Sequence, residues 1–360
     1  MIHTQQIWIK MINSLPHEII CRWINNKNAH ICQLWYKIWC AKTMSIILWR
    51  TDRFRYRTID YSFNMVSKFK NLIELSLGKG SVVDEYIGSL VTLRTLIVNE
   101  NGYVTDRMLH KLSNLTSLSL NSNTKITDES LKYLTNIQTL CLRFNRKITD
   151  VALKNLTRLT TLDVWGSPIT DSSLTCLTNI HHLTLFNTIL ITDDSIRHFT
   201  KLDTLIMSKM GSISDKSMKY LTNITCLHIS SCDLVTDNSI KKLTNMTTMN
   251  IESIDNITYK SLKHLTNLTE MRLCNFEIDD DKFEKFTNLK TLKLYDGTNI
   301  TGNSISRLTG LEILSLYRSE VSNGNIKVLT NLKELYLEDC DQIKKSKLKL
   351  PNLIKFVKEE

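Results

Sequence analysis

Few side chains in this sequence stand at spacings that do chemistry. Cys226 and His228 are soft and imidazole metal donors two residues apart, which an extended strand would place on one face. The nearest further donor is His182. If each repeat unit contributes one strand, it lies two strands away, roughly 10 Å off and too far for a shared metal ion. Gly78-Lys79-Gly80-Ser81 has the composition of a phosphate loop without the GxxxxGK[ST] spacing. The histidines are scattered without relation to any nucleophile, so no Ser-His-Asp arrangement can be drawn. The expectation is a chain without catalysis, cofactor or metal. What remains is the chemistry of surfaces. Arg143, Phe144, Asp163, Trp165, His182 and Phe186 form one group. Arg272, Lys293, Tyr295, Tyr317, Arg318, Tyr336 and Glu338 form a second. Small polar residues separate them, among them Thr204, Ser208, Ser230, Thr248 and Asn250. Clustered Trp, Tyr and Arg carry binding energy where proteins meet, and both groups are expected to hold a target protein.

The elements that must present these groups repeat. Ile126 to Leu142 reads ITDESLKYLTNIQTLCL, and near-copies recur through the chain. Aligned on the apolar residue of the LTN step, the copies fall at Phe69, Leu90, Leu112, Leu134, Leu156, Leu177, Phe199, Leu221, Leu243, Leu265, Phe286, Leu308, Leu329 and Leu350, 21 or 22 residues apart. That period means a solenoid. Within a unit, Leu140-Cys-Leu142 alternates as a strand with one buried face. Thr127 to Leu134 reads as a short helix, capped by Thr127, with Asp128 and Glu129 at its positive end and Leu131 and Leu134 on one side. Neither element can bury its apolar side alone. The units therefore stack, strand beside strand in parallel, and residues flanking each apolar pair line the concave face in columns. Thirteen such strands would span on the order of 60 Å, room for a folded protein rather than a metabolite. The array is expected to end in a charged cap at Lys344, Lys345, Lys347 and Lys349 and a last strand near Leu353 to Lys358.

The pattern LxxLxLxx(N/C)xxITDxxLxxL resembles the cysteine-containing leucine-rich repeats. Asn101, Asn123 and Asn145, then Cys232 and Cys340, hold the position after the strand. The resemblance implies that this side chain satisfies backbone groups at the bend. Gly80, Ser167, Thr188, Met210, Ile254 and Phe276 interrupt it, so irregular bending is expected in the middle units. The implied fold is an α/β horseshoe: a parallel concave sheet, short convex helices and a small all-α module ahead of them.

The first residues differ in character. Trp8, Trp23, Trp35, Trp39 and Trp49 are five of the six tryptophans, and the repeat is absent there. Ser14 can cap a helix that opens at Leu15 and Pro16 with Ile19, Ile20, Trp23 and Ile24 on its apolar side. Apolar runs at Ile31 to Trp39 and Ile46 to Trp49 read as further short helices. The division is 1–49 helical module, 50–68 linker and first coil, 69–360 solenoid with its cap. Leu15, Pro16, Glu18 and Ile19, then Ile31, Cys32 and Trp35, then Leu48 and Trp49 resemble the F-box, the adaptor-binding module of cullin-RING ubiquitin-ligase substrate receptors, although the Glu18 to Cys32 segment is shorter than in that family. The resemblance implies that Leu15, Pro16, Ile19, Ile20 and Trp35 form the adaptor-binding surface, and that the chain recruits substrates. An F-box directly before leucine-rich repeats is a known architecture. Two other readings stand beside it: an interaction scaffold whose N-terminal helices only cap the solenoid, and a decoy that sequesters its target.

Charge and cysteines bound the partners. The formal charge is +10, but residues 1–68 hold ten Lys or Arg against three Asp or Glu, which leaves +3 for the array. Neither nucleic acid nor a membrane is expected as a partner. Arg50 to Arg57 reads as a linker with solvated arginines rather than a nucleic-acid contact. Nine cysteines without a CxxC pair read as reduced thiols of a cytoplasmic or nuclear protein. The N-terminus lacks a signal peptide's apolar core. The sequons at Asn114, Asn155, Asn223 and Asn267 follow from the repeated LTN step and need no secretory meaning.

Overall fold

The computed structural model describes residues 45–48, 71–77, 87–276, 278, 283, 285–295 and 302–359. The helical segments expected before residue 45, the Arg50 to Arg57 stretch and the Gly78 to Ser81 turn lie outside these residues, as do the adaptor-surface residues Leu15, Pro16, Ile19, Ile20 and Trp35.

Among the described residues fifteen parallel strands form one sheet in strict chain order, from Ser45–Leu48 and Glu74–Leu77 at one end to Lys355–Glu359 at the other. Each unit repeats one register: Leu118 pairs with Leu140, Leu140 with Leu162 and Leu162 with Leu183. These leucines are fully buried, and with their counterparts in every unit they make a single core that runs the length of the sheet. One strand corrects the sequence reading. Ser45–Leu48 pairs in parallel with Glu74–Leu77 and so belongs to the sheet, not to a third helix of a 1–49 module. A four-residue apolar run has no readable period, and its β-branched Ile46 and Ile47 suit a strand.

Except for the six-residue Gly302–Arg307, the described helices are one turn long, such as Asp128–Leu131 and Asp237–Ile240. Macrodipole and propensity cannot hold a four-residue helix. Bonds to the neighbouring unit do. Asp106 accepts from the backbone N–H of Thr127 at 2.8 Å, from the Thr127 hydroxyl at 2.7 Å and from the Ser130 hydroxyl at 2.7 Å. Asp150, Asp171, Asp193 and Asp215 each do the same one unit further on. Thr127 in turn caps its own helix, its hydroxyl accepting from the Glu129 N–H. A second ladder runs along the LTN step: Asn114, Asn223 and Asn267 donate side-chain N–H to a carbonyl of the preceding unit, at Val91, Thr200 and Thr244.

The bend after each strand needs a left-handed residue, and ten non-glycine residues from Glu100 to Asp339 adopt φ between 47° and 55° there. The residue that follows buttresses the bend. Asn123 accepts from the N–H groups of Lys125 and Ile126 and donates to the carbonyls of Val98 and Asn101. Cys232 and Cys340 donate weakly to carbonyls behind them. Met210, Ile254 and Phe276 fill the same place with buried apolar volume, and the strand register passes these middle units unbroken. At the C-terminal end a 3-10 turn, Lys345–Lys347, replaces the helix, and the last strand is only partly buried.

Candidate binding face

The first cluster is a continuous ladder. Extending the register of Cys141, Asp163 and Thr184 by two residues brings Arg143, Trp165 and Phe186 side by side in one column of the concave face. Trp165 stacks on Phe186 with ring centroids 4.2 Å apart and an interplanar angle of 25°. Phe144 lies 5.8 Å away on the other side of Trp165. Cations cover both ends: the Arg143 guanidinium is 5.2 Å from the Trp165 centroid, and the Lys209 ammonium 5.5 Å from that of Phe186. Sequence reasoning missed Lys209. It occupies the left-handed position of its unit, φ 55°, as Phe144 does at φ 54°.

Asp163 has a different part from its neighbours. It is only 5% exposed and accepts from Arg143 Nε at 2.5 Å and from the Trp165 N–H at 3.2 Å. A partner would not touch this carboxylate; it fixes the guanidinium against the indole. Gly166 makes the same space possible from the backbone. Its φ is +63°, and a Cβ there would stand 3.0 Å from Phe144 Cδ1. Phe144 itself is 57% exposed. His182 lies two columns away from the aromatic ladder, in register with Thr204, with the Asp163–Thr184 column between them.

The second cluster is assembled from separate pairs. Arg272, Lys293, Ser315 and Tyr336 are in register on adjacent strands. The Arg272 guanidinium sits 4.7 Å from the Tyr295 centroid and that of Arg318 4.7 Å from Tyr317. Lys355, 4.9 Å from the Tyr336 ring, was not among the expected residues. The Tyr336 hydroxyl donates to Glu334 at 2.5 Å, and the contact with Tyr336, aided by Glu334, holds the Lys355 ammonium pKa above its ordinary value. Arg318 also reaches Asp339 at 3.3 Å. Glu338 is exposed beside Tyr317 in the register.

Between the clusters, Cys226 and His228 share a face, as expected. Burial pushes the Cys226 thiol pKa up, with Glu270 and Asp203 adding to it. Burial lowers the His228 pKa, with Arg272 and His182 on the same side and Glu270 opposing, so the imidazole is neutral at pH 7. Among the described residues no group of three or more His, Cys, Asp or Glu side chains converges as a metal site requires.

A parallel sheet in chain order, one-turn helices and an Asn or Cys at the bend define the architecture. The fold is a leucine-rich-repeat solenoid. The Leucine Rich repeat family model matches residues 111–134 and 220–243. Solved leucine-rich-repeat structures superpose over most of the chain. The internalin inlF of Listeria monocytogenes is 23% identical with a TM-score of 0.58, covering 80% of this chain and 87% of that one. The leucine-rich-repeat protein LIC12759 of Leptospira interrogans is 20% identical with a TM-score of 0.54, covering 81% and 85%. Toll of Drosophila, from its complex with Spatzle, is 16% identical with a TM-score of 0.52, covering 76% and 41%. No curated protein matches the sequence. Among the described residues no helix is long and apolar enough to cross a membrane.

Proposed function

We propose that this chain is a non-catalytic recruiter that holds a target protein on its concave face and delivers it to a cullin-RING ubiquitin ligase through its N-terminal module. The observation that carries the first half is the Phe144–Trp165–Phe186 ladder with Arg143 and Lys209 at its ends. Preassembled aromatic and guanidinium groups lose little side-chain entropy when a partner covers them, which is what makes such residues hot spots. A leucine-rich-repeat relative of the same fold, Toll, is known in complex with Spatzle, which supports a protein rather than a metabolite as ligand.

The second half rests on the F-box resemblance of Leu15, Pro16, Glu18, Ile19, Ile31, Cys32 and Trp35. One observation favours the alternative scaffold reading. Leu48, part of the closing Leu-Trp of that pattern, lies in the first strand of the sheet, as the start of a solenoid cap would. Co-purification with the ligase adaptor separates the two. The recruiter binds it, and Leu15→Ala with Pro16→Ala abolishes that binding while the solenoid's melting curve is unchanged. An intact chain that brings down no adaptor at about micromolar concentration sinks the ligase half and leaves an interaction scaffold.

A further inference from the structure

The array's small net charge conceals a strong segregation on its convex side. Three consecutive helices, Asp215–Met218, Asp237–Ile240 and Tyr259–Leu262, carry Lys216, Lys219, Lys241, Lys242, Lys260 and Lys263. All six are exposed. Lys219, Lys241 and Lys263 are the C-cap residues of their helices, with φ of -60°, -58° and -56°, so they stand in one row across the units. Among the described residues none of the six makes an ion pair with a carboxylate. The only carboxylates on these helices, Asp215 and Asp237, are held in the ladder by hydrogen bonds from Thr236 and Thr258.

Helix electrostatics explain half of this pattern. A cation at a C-cap interacts favourably with the helix dipole, which suits Lys219, Lys241 and Lys263. Lys216 and Lys260 are the second residues of four-residue helices, whose single turn is both first and last, so the dipole gives them no comparable support. On the preceding helix the C-cap cation, Arg197, is paired with Asp194 at 3.4 Å, unlike the six.

We propose that this patch is a peripheral docking surface for an anionic lipid bilayer, with the concave face turned away from it. The surface is convex and has no groove to enclose a nucleic-acid backbone. Its one exposed aromatic on these helices is Tyr220, already beneath the Lys219 ammonium at 5.0 Å, so there is no platform for stacking bases. Lysines are mobile point charges, suited to a diffuse anionic plane rather than to bidentate recognition of one carboxylate or phosphate. A curved solenoid touches a plane along a few helices, and three is the width of the unpaired patch. With only Tyr220 and Leu234 as large exposed apolar side chains at these helices, attachment is mainly electrostatic and salt-reversible.

Co-sedimentation of the full chain with phosphatidylcholine vesicles, with and without about 30% phosphatidylserine, at about 50 mM and 300 mM salt tests this. Binding is expected only to the anionic vesicles and only at the lower salt. Lys219→Glu with Lys241→Glu and Lys263→Glu should weaken it at least about tenfold, because three of the six cations become anions. Lys125→Glu with Arg146→Glu and Lys147→Glu makes the same charge change on exposed residues off this face, and should weaken it less than about threefold. Melting curves check that both variants fold. Absence of binding to anionic vesicles overturns the proposal. Equal losses in the two triple variants also overturn it, by showing attraction to net charge alone. So does a convex triple variant that loses a single-stranded RNA probe while keeping the vesicles.

Discussion

The aspartate ladder makes a quantitative claim, and Asp215 is the place to test it. Its carboxylate accepts from the Thr236 N–H at 2.9 Å, from the Thr236 hydroxyl at 2.6 Å and from the Ser239 hydroxyl at 2.5 Å. Ser239 is fully buried, whereas the carboxylate is partly open to solvent. Three charge-assisted bonds at about 1 kcal/mol net each, discounted for that exposure, put Asp215→Ala at roughly 2 kcal/mol. Removing the acceptor and Ser239 together isolates one bond. Asp215→Ala with Ser239→Ala should be less destabilising than the sum of the single changes by about 1 kcal/mol. Alanine fits at this position, since Ala152 already occupies it one helix after Asp128. Asp128 correspondingly makes only the two bonds to Thr149. The assay is urea unfolding followed by circular dichroism, comparing midpoints and slopes. Because each unit contacts only its neighbours, a broken ladder should also split or broaden the transition. A coupling below about 0.3 kcal/mol, within the range of additive sites, would show that the ladder is an ornament of helices held by core packing alone.

Trp165→Ala should weaken binding of the concave-face partner by more than about 2 kcal/mol, measured by calorimetry, and equal affinity would remove Trp165 from the account. Gly166→Ala should cost about 1 kcal/mol of stability for its left-handed φ and displace the Phe144 ring, read as a fall in melting temperature with a changed aromatic circular-dichroism signal. Burial works to raise the Asp193 and Asp237 pKa values, but the hydroxyl and N–H donors of Ser214 and Ser217, and of Ser261 and Thr258, outweigh it and hold both below 3.8. Their stabilisation is therefore fully present above pH 3.8 and is lost as pH falls through the lower folded-state values. Asp193→Asn with Asp237→Asn should flatten the acid limb of a pH–stability curve, and an unchanged limb would refute their part in it.

The architecture was legible because the repeat states it fourteen times over: period, strand alternation and helix cap each appear in nearly every unit. What single-unit reasoning missed is what passes between units. The aspartate of the ITD step reads as a helix-dipole residue within its own four-residue helix, whereas its oxygens accept from the Thr and Ser of the next. The signal was present in the register: Thr and Ser recur at fixed offsets one period after each Asp. The strand Ser45–Leu48 differs from the expected helix because the apolar run Ile46 to Trp49 is too short to carry a period. Among the candidate site residues, the strand alternation gave a column for each, but not its depth. Column position says which face a residue takes; neighbouring side chains decide whether it is exposed, and Arg143 and Trp165 bury Asp163. Lys209 takes the same left-handed position as Phe144 and Arg318 but escaped because a lysine beside small polar residues does not read as part of an aromatic cluster.

These ladders have a consequence for function. Core leucines, the Asp to Thr bridges and the LTN asparagines together satisfy the requirements of stacking, and all of them lie inside the sheet, between helices or along one edge. None uses the concave columns or the outward positions of the helices. Apart from concave residues such as Asn99, Asn121 and Asp163, which accept from backbone N–H groups, side chains there take no part in these ladders, so an aromatic cluster or an unpaired row of cations needs its own reason. The Arg143–Trp165–Phe186–Lys209 ladder is such a cluster on one face, and six unpaired lysines are such a row on the other. The two faces point in opposite directions, so a surface held by the lysines leaves the aromatic ladder open to a second partner. Losing one should leave the other intact: the convex triple variant keeps its concave partner and Trp165→Ala keeps its vesicles. Loss of both by either change would mean a single partner wraps around the solenoid, and the division of labour argued from the ladders would fall.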